Sequence, residues 1–355
     1  MRSDISELLN AIRALPVGNV KLMEVCGTHT MAIAKSGIRS LLPENVQLLS
    51  GPGCPVCVTP AETMDAVFEL AKRPEVIIAS YGDMIRVPGS RRGESLQRER
   101  ALGARVEIVY SPVDAVELAK KEPDKEVVFL GVGFETTAPG TAAAVLTARE
   151  EGVKNFSVWS MLKSVEPALR ALIASPGFDV QGFICPGHVA SVIGAQGFEF
   201  LPREYGIPAV VAGFEPEEIL LAVYRLLEQL ADGEARVENC YERAVRREGN
   251  LLAQRLLGDC FALRRDSWRG LGDIDRSGFG LKAELSDFDA ERKLGIKPAG
   301  RSAPTACRCG DVICGRLSPQ ACPMFGKVCT PEDPVGPCMV SSEGACAAAY
   351  KYQRV

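Results

Sequence analysis

The chain has 355 residues, 46% of them hydrophobic and 24% charged, with a formal net charge of −4; this is ordinary for a globular protein and leaves room for two or three domains. There is no basic excess to suggest a nucleic-acid partner and no basic amphipathic stretch to suggest a membrane surface. No apolar run approaches the roughly 18 residues a membrane span needs, and the opening Met1-Arg2-Ser3-Asp4 shows no apolar leader, so a cytoplasmic location is expected.

In chain order, the first signals are short apolar runs at Lys21–Val25, Val46–Ser50, Val76–Ser80 and Val106–Tyr110. Four more follow at Glu126–Gly131, Asn155–Ser160, Gly182–Cys185 and Pro208–Ala212, separated by helical patterns such as Thr141–Glu151 and Val165–Ala174. Buried runs alternating with helices predict βα units around parallel sheets. The reading is therefore an α/β fold with two small domains, 20–122 and 123–214, each with a parallel sheet of about four strands. A single eight-stranded sheet is the competing arrangement. From about Glu215 the pattern changes: Glu217–Leu230 repeats apolar residues at helical spacing and Ala235–Leu257 continues as a charged helical region. Glycine-rich turns around Trp268-Arg269-Gly270-Leu271-Gly272 come next, then a tail rich in Cys, Pro and Gly. Residues 1–19 and 215–355 are expected to form a third, helical and Cys-rich domain.

The unusual residues gather after the predicted strands, where α/β proteins bind ligands. These loops carry Cys26-Gly27-Thr28-His29-Thr30, Gly51-Pro52-Gly53-Cys54-Pro55-Val56-Cys57, Gly131-Val132-Gly133-Phe134-Glu135-Thr136-Thr137 and Cys185-Pro186-Gly187-His188-Val189. The chain has only two histidines, and both lie in these loops. Cys54 and Cys57 form a CxxC, whose spacing at a helix start suits a redox disulfide with Cys54 as the attacking thiolate. The plainer reading is half of a structural zinc site. Cys26 is open to three readings: a nucleophile with His29 as base, a soft-metal ligand, or an inert buried thiol. The glycines of 131–137 match neither GxGxxG nor a phosphate loop, so a helix cap by Thr136 or Thr137 stands beside a site role for Glu135. His188 reads equally as an outward-facing or a structural histidine. Cys240 and Cys260 look like core cysteines in helical surroundings.

Thirteen cysteines are many for a chain in a reducing compartment, where clustered thiols are more often metal ligands or redox groups than disulfides. Seven lie in the tail: Cys307, Cys309, Cys314, Cys322, Cys329, Cys338 and Cys346. All-thiolate ligation at long, Pro- and Gly-filled intervals favours a [4Fe–4S] cluster over zinc.

Taken together, the CGTHT, GPGCPVC, GFETT and PGHV segments and the tail, with Cys329-Thr330-Pro331 and Gly336-Pro337-Cys338-Met339-Val340, resemble the HypD family of hydrogenase maturation proteins. They occur in the family's order over nearly the whole chain. The resemblance implies two α/β domains and a third with the cluster. It implies cluster ligands at the spacing Cys-x14-Cys-x6-Cys-x16-Cys, here Cys307, Cys322, Cys329 and Cys346. Cys314 departs from the family pattern. The implied function is a scaffold and redox factor for the Fe(CN)2CO unit of nickel–iron hydrogenases, more an assembly factor than a turnover enzyme. The implied partners are HypC, which shares the iron, and HypE, which delivers cyanide made with HypF. In this reading Cys26 ligates the transiently bound Fe(CN)2CO iron and His29 tunes that thiolate. Electrons pass from the cluster to the Cys54/Cys57 pair and on to the iron, while Glu135, Thr136 and His188 close the cleft and hydrogen-bond the diatomic ligands. The rivals are a stand-alone cluster-linked thiol–disulfide oxidoreductase and a zinc-stabilised interaction protein.

Overall fold

The computed structural model describes residues 5–296 and 306–353. All eight expected strands form: β1 (Val20–Glu24), β2 (Val46–Ser50), β3 (Val76–Ser80), β4 (Arg105–Ile108), β5 (Glu126–Gly133), β6 (Phe156–Leu162), β7 (Gly182–Pro186) and β8 (Ala209–Ala212). They build two parallel sheets, with β9 (Val237–Asn239) added to the first: β2-β1-β7-β8-β9 and β4-β3-β5-β6. Strands such as β3, β6 and β7 are buried along their whole length, which is why they read as continuous apolar runs rather than alternating ones.

The fold is the expected α/β arrangement of two parallel sheets, but strands are not shared out in chain order. β1 pairs with β7 (Leu22 with Gly182, Glu24 with Ile184), and β3 pairs with β5 (Val76 with Glu126). The four-stranded sheet is thus nested between the two halves of the five-stranded one. The 122/123 division passes between β4 and β5 and does not coincide with the division into sheets. Apolar runs locate strands but carry no information on which of several similar partners each one takes.

The region after residue 215 also differs from expectation. Helix Pro216–Ala231 packs with helix Ile5–Ala14 on the five-stranded sheet, around Leu8, Ile12, Leu22, Ile219, Val223 and Leu226. Both helices therefore belong to that sheet's core. The stretch 235–257 is not one charged helix: it holds β9, a turn, and the start of helix Leu251–Cys260. Cys240 directly follows β9 and donates its N–H to Val211 O (2.9 Å), so its surroundings are not helical. Cys260, buried at the end of its helix, is a core cysteine as expected. Next comes an antiparallel hairpin, β10 (Phe261–Trp268) and β11 (Gly272–Leu281), with the Trp268–Gly272 turn at its tip. β11 lies against β6. The Cys-rich tail is held by short helices, including Cys309–Ile313 and Ala345–Tyr352; the latter packs on helix Gly27–Ser36. Among the described residues no helix is long and apolar enough to cross a membrane.

Candidate functional site

Each sheet has a switch point, where connections leave in opposite directions and a crevice opens at the carboxyl ends of the strands. In the five-stranded sheet it lies between β1 and β7, the strands that run into Cys26 and His188. In the four-stranded sheet it lies between β3 and β5, and β5 runs into Glu135.

Cys26 is the N-cap of helix Gly27–Ser36 and is buried. Burial pushes its thiol up to about 12, against the pull of the backbone N–H groups of His29 and Thr28 at the helix start. Below it sits Glu24, fully buried, which accepts from Thr30 Oγ1 (2.6 Å) and Cys26 N (3.1 Å). Burial raises Glu24 to about 7, opposed by hydrogen bonds from Ser50 and Thr30 and by the charge of Arg39. His29 is also buried, and burial lowers it to about 4. It is therefore neutral, with Nε2 donating to Gly213 O (2.8 Å) and Nδ1 left without a partner among the described residues. Its ring is committed to Gly213 and Phe214 (centroids 4.7 Å apart), and its approach to the Cys26 sulfur is through the backbone N–H. His188 is exposed and stacks on the other side of the site against the same Phe214 (4.0 Å). Glu343, from the tail, accepts from Thr28 Oγ1 (2.7 Å) and places negative charge near both Cys26 and His188.

Cys54 and Cys57 form a disulfide at the start of the short helix Pro55–Val58, and both are buried. Gly53 ties this loop to Cys26: Gly27 N donates to Gly53 O (2.9 Å), and a Cβ on Gly53 would lie 2.2 Å from Cys26 N. Only glycine lets the two backbones approach so closely. The Pro55–Val58 helix then packs on β5, on helix Cys309–Ile313 and on the Pro337–Met339 turn, both from the tail.

Glu135 and Thr136 follow just after β5. Glu135 is buried, its carboxyl raised by burial, and its Oε1 accepts from Ser164 Oγ (2.8 Å) and Val165 N (3.0 Å). It thereby accepts from the first N–H of helix Val165–Ile173, while Oε2 has no partner among the described residues. Thr136 is exposed. Thr137 occupies the N-cap position of helix Ala138–Glu150 without making a side-chain cap. Its Oγ1 fills the space beside Gly133, at φ +155°, where a Cβ would collide with it.

Six of the seven tail cysteines, Cys307, Cys309, Cys322, Cys329, Cys338 and Cys346, line one pocket with Val312, Met324, Phe325, Val335 and Met339. Cys314 lies outside it, near Gly270 O (3.6 Å). The thiols of Cys307 and Cys338 hydrogen-bond Cys309, holding Cys309 well below an ordinary thiol while their own protons are held on. Backbone N–H groups point at sulfur as well: Cys309 N at Cys307 Sγ (3.4 Å) and Val335 N at Cys329 Sγ (3.3 Å). A Cβ on Gly336 would lie 2.4 Å from Cys307 Sγ. Among the described residues no three Cys, His, Asp or Glu side chains converge on a single metal-ion position. An apolar pocket ringed by thiols, with N–H groups aimed at sulfur, fits a thiolate-held iron–sulfur group.

Sequence reasoning missed Glu24, Phe214 and Glu343. Glu24 had a signal: a carboxylate at the buried end of a parallel strand. Glu343 had none, since its partner Thr28 is 315 residues away.

The family model named HypD, described as "Hydrogenase formation hypA family", matches residues 3–353. The chain is 46% identical to hydrogenase maturation factor HypD of Rhodobacter capsulatus, over 99% of this chain and 94% of the relative. It is 47% identical to the Azotobacter vinelandii factor of the same name (97% and 92% covered) and 45% identical to that of Escherichia coli K12 (94% and 90%). A match of this extent, with the site segments lying within it, places the chain in the HypD family of hydrogenase maturation factors.

Proposed function

We propose that the chain is the scaffold and redox factor on which the Fe(CN)2CO unit is assembled, with HypC sharing the iron and HypE delivering cyanide. The observation that carries this reading is the contact of the Cys26 loop with the Cys54–Cys57 loop through Gly27 and Gly53, with the thiol pocket packed on the same short helix. A cysteine suited to a soft metal thus neighbours a cysteine pair that can carry two electrons.

Cys26 would take the iron being assembled. Its thiol is held protonated by burial, so metal binding releases a proton there, and the helix N–H groups of Thr28 and His29 stabilise the resulting thiolate. His29 stays neutral and fixes the helix start against Gly213. Cyanide arriving as a thiocyanate must leave its carrier sulfur with two electrons. The reduced Cys54/Cys57 pair supplies them: R–SCN plus two thiols gives R–SH, iron-bound cyanide, the disulfide and one proton. Each cyanide consumes one dithiol. Cys307, Cys322, Cys329 and Cys346 would hold a [4Fe–4S] cluster, which when bound is a source of single electrons.

Anaerobically purified complex with the small HypC partner should show infrared bands of bound CO and cyanide. Cys26→Ala should remove those bands and leave the cluster absorbance intact; bands that survive would exclude Cys26 as the ligand. Cys322→Ala should bleach the cluster absorbance. An unchanged spectrum would move the ligand set toward Cys309 or Cys338. About four iron atoms with inorganic sulfide support the reading; about one zinc without sulfide would replace it with a zinc-stabilised interaction protein. Turnover of disulfide substrates without HypC would favour a stand-alone oxidoreductase.

A further inference from the structure

We propose that Arg269 is a positioning residue for the sulfur of the tail, spanning from the CxxC helix to the thiol pocket and lending that pocket a positive charge and a buried N–H. The inference rests on the cluster reading above and goes beyond it by naming a residue outside the ligand set. Arg269 sits at the tip of the β10–β11 hairpin, and the tip is fixed from three sides. Its backbone N–H donates to Val58 O (2.9 Å) and its Nε to Thr59 O (3.0 Å), both at the end of the CxxC helix. The next residue, Gly270, lies against Gly310 so closely that a Cβ would be 2.6 Å from Gly310 Cα. The preceding Trp268 is buried, donates Nε1 to Ser277 Oγ (2.9 Å) and stacks on Phe134.

Held this way, with Gly270 packed on Gly310, Arg269 stands beside the Cys307–Cys309 end of the thiol pocket. Nη2 is buried and has no acceptor among the described residues. A buried cationic N–H without an acceptor is costly. If Arg269 only tied the hairpin to the helix, Nε and the backbone N–H would suffice, and a buried Nη2 would be a cost without return. The sulfur of Cys307, a thiolate once it binds iron, supplies the missing acceptor.

An added electron makes a cluster more negative, and a neighbouring cation favours that state. In anaerobically purified full-length protein, Arg269→Gln should therefore shift the cluster's midpoint potential downward. A charge-assisted hydrogen bond corresponds to about a tenfold change in the reduction equilibrium, which is about 59 mV for one electron. Arg269→Lys, which keeps the charge but not the fork, should restore part of the shift. A purely structural tie would lower the melting temperature and leave the potential where it was, and that result overturns the proposal. Should Arg269→Gln fail to retain iron, protein with native Arg269 supplies the readout. With 15N-labelled arginine in an Arg308→Lys background, which removes the arginine near Cys322, the reduced cluster should show a 15N coupling by electron–nuclear double resonance. Its absence refutes the proposal. Wild-type protein lacking iron and sulfide would sink the cluster reading and this inference with it; a full cluster indifferent to Arg269 would sink the inference alone.

Discussion

His29 and Glu24 are both buried beside Cys26, and they respond to pH in opposite senses. The unfolded His29 takes a proton below 6.5, while the folded one resists until about 4. The unfolded state then binds more protons, so this residue makes stability rise with pH from about 4 to 6.5. The folded Glu24 keeps its proton up to about 7, whereas the unfolded one loses it near 4.5. Stability therefore falls with rising pH across that window. Each term is of the order of 3 kcal/mol, and in the wild type they largely cancel. Relative to wild type, His29→Gln should make stability fall with pH between 4.5 and 7, and Glu24→Gln should make it rise. Urea midpoints at pH 5, 6 and 7 measure this; parallel slopes in all three proteins would refute it. Cys26 and His29 were legible because strand-end loops of an α/β sheet are where polar and sulfur residues mean most. Glu343 was not, because contacts between the tail and the Cys26 loop arise only from the tertiary fold.

Elements that carry the site were readable where the signal was local. The eight strands announced themselves as apolar runs, and Pro55 opens the CxxC helix at its first turn. The β10–β11 hairpin did not. Its first strand carries Arg264, Arg265 and Asp266 in succession, which breaks the apolar run that marks the other strands. In the fold Arg264 pairs with Glu291 (2.5 Å) and Asp266 with the buried Lys163 (3.0 Å), so partners far along the chain satisfy charges that alone argue against a strand. The close passage of Gly53 over Cys26 yields a direct test at this scale. The atoms a Cβ would strike are backbone atoms of Val25 and Cys26, which have no rotamer to yield. Gly53→Ala should cost roughly 1–3 kcal/mol, read by chemical denaturation, and should lower hydrogenase maturation in cells. Full maturation in that variant would show that the two loops need not touch.

Across the whole molecule, one sheet is nested inside the other. Separate fragments 1–122 and 123–355 should each fail to fold, because β1 needs β7 and β3 needs β5. Circular dichroism of each fragment, with recovery on co-expression, tests this; two independently folded halves would contradict the topology. The nesting also sets an order of events at the ribosome. Residues 76–162 complete their sheet before β7 has been made, whereas β1 must wait with one edge bare for about 160 further residues. At ordinary translation rates that wait lasts on the order of ten seconds. For that interval the nascent chain offers an unpaired apolar edge to any neighbouring strand, so slowed elongation between the codons for β2 and β7 should lower the yield of soluble protein more than the same delay placed after β8.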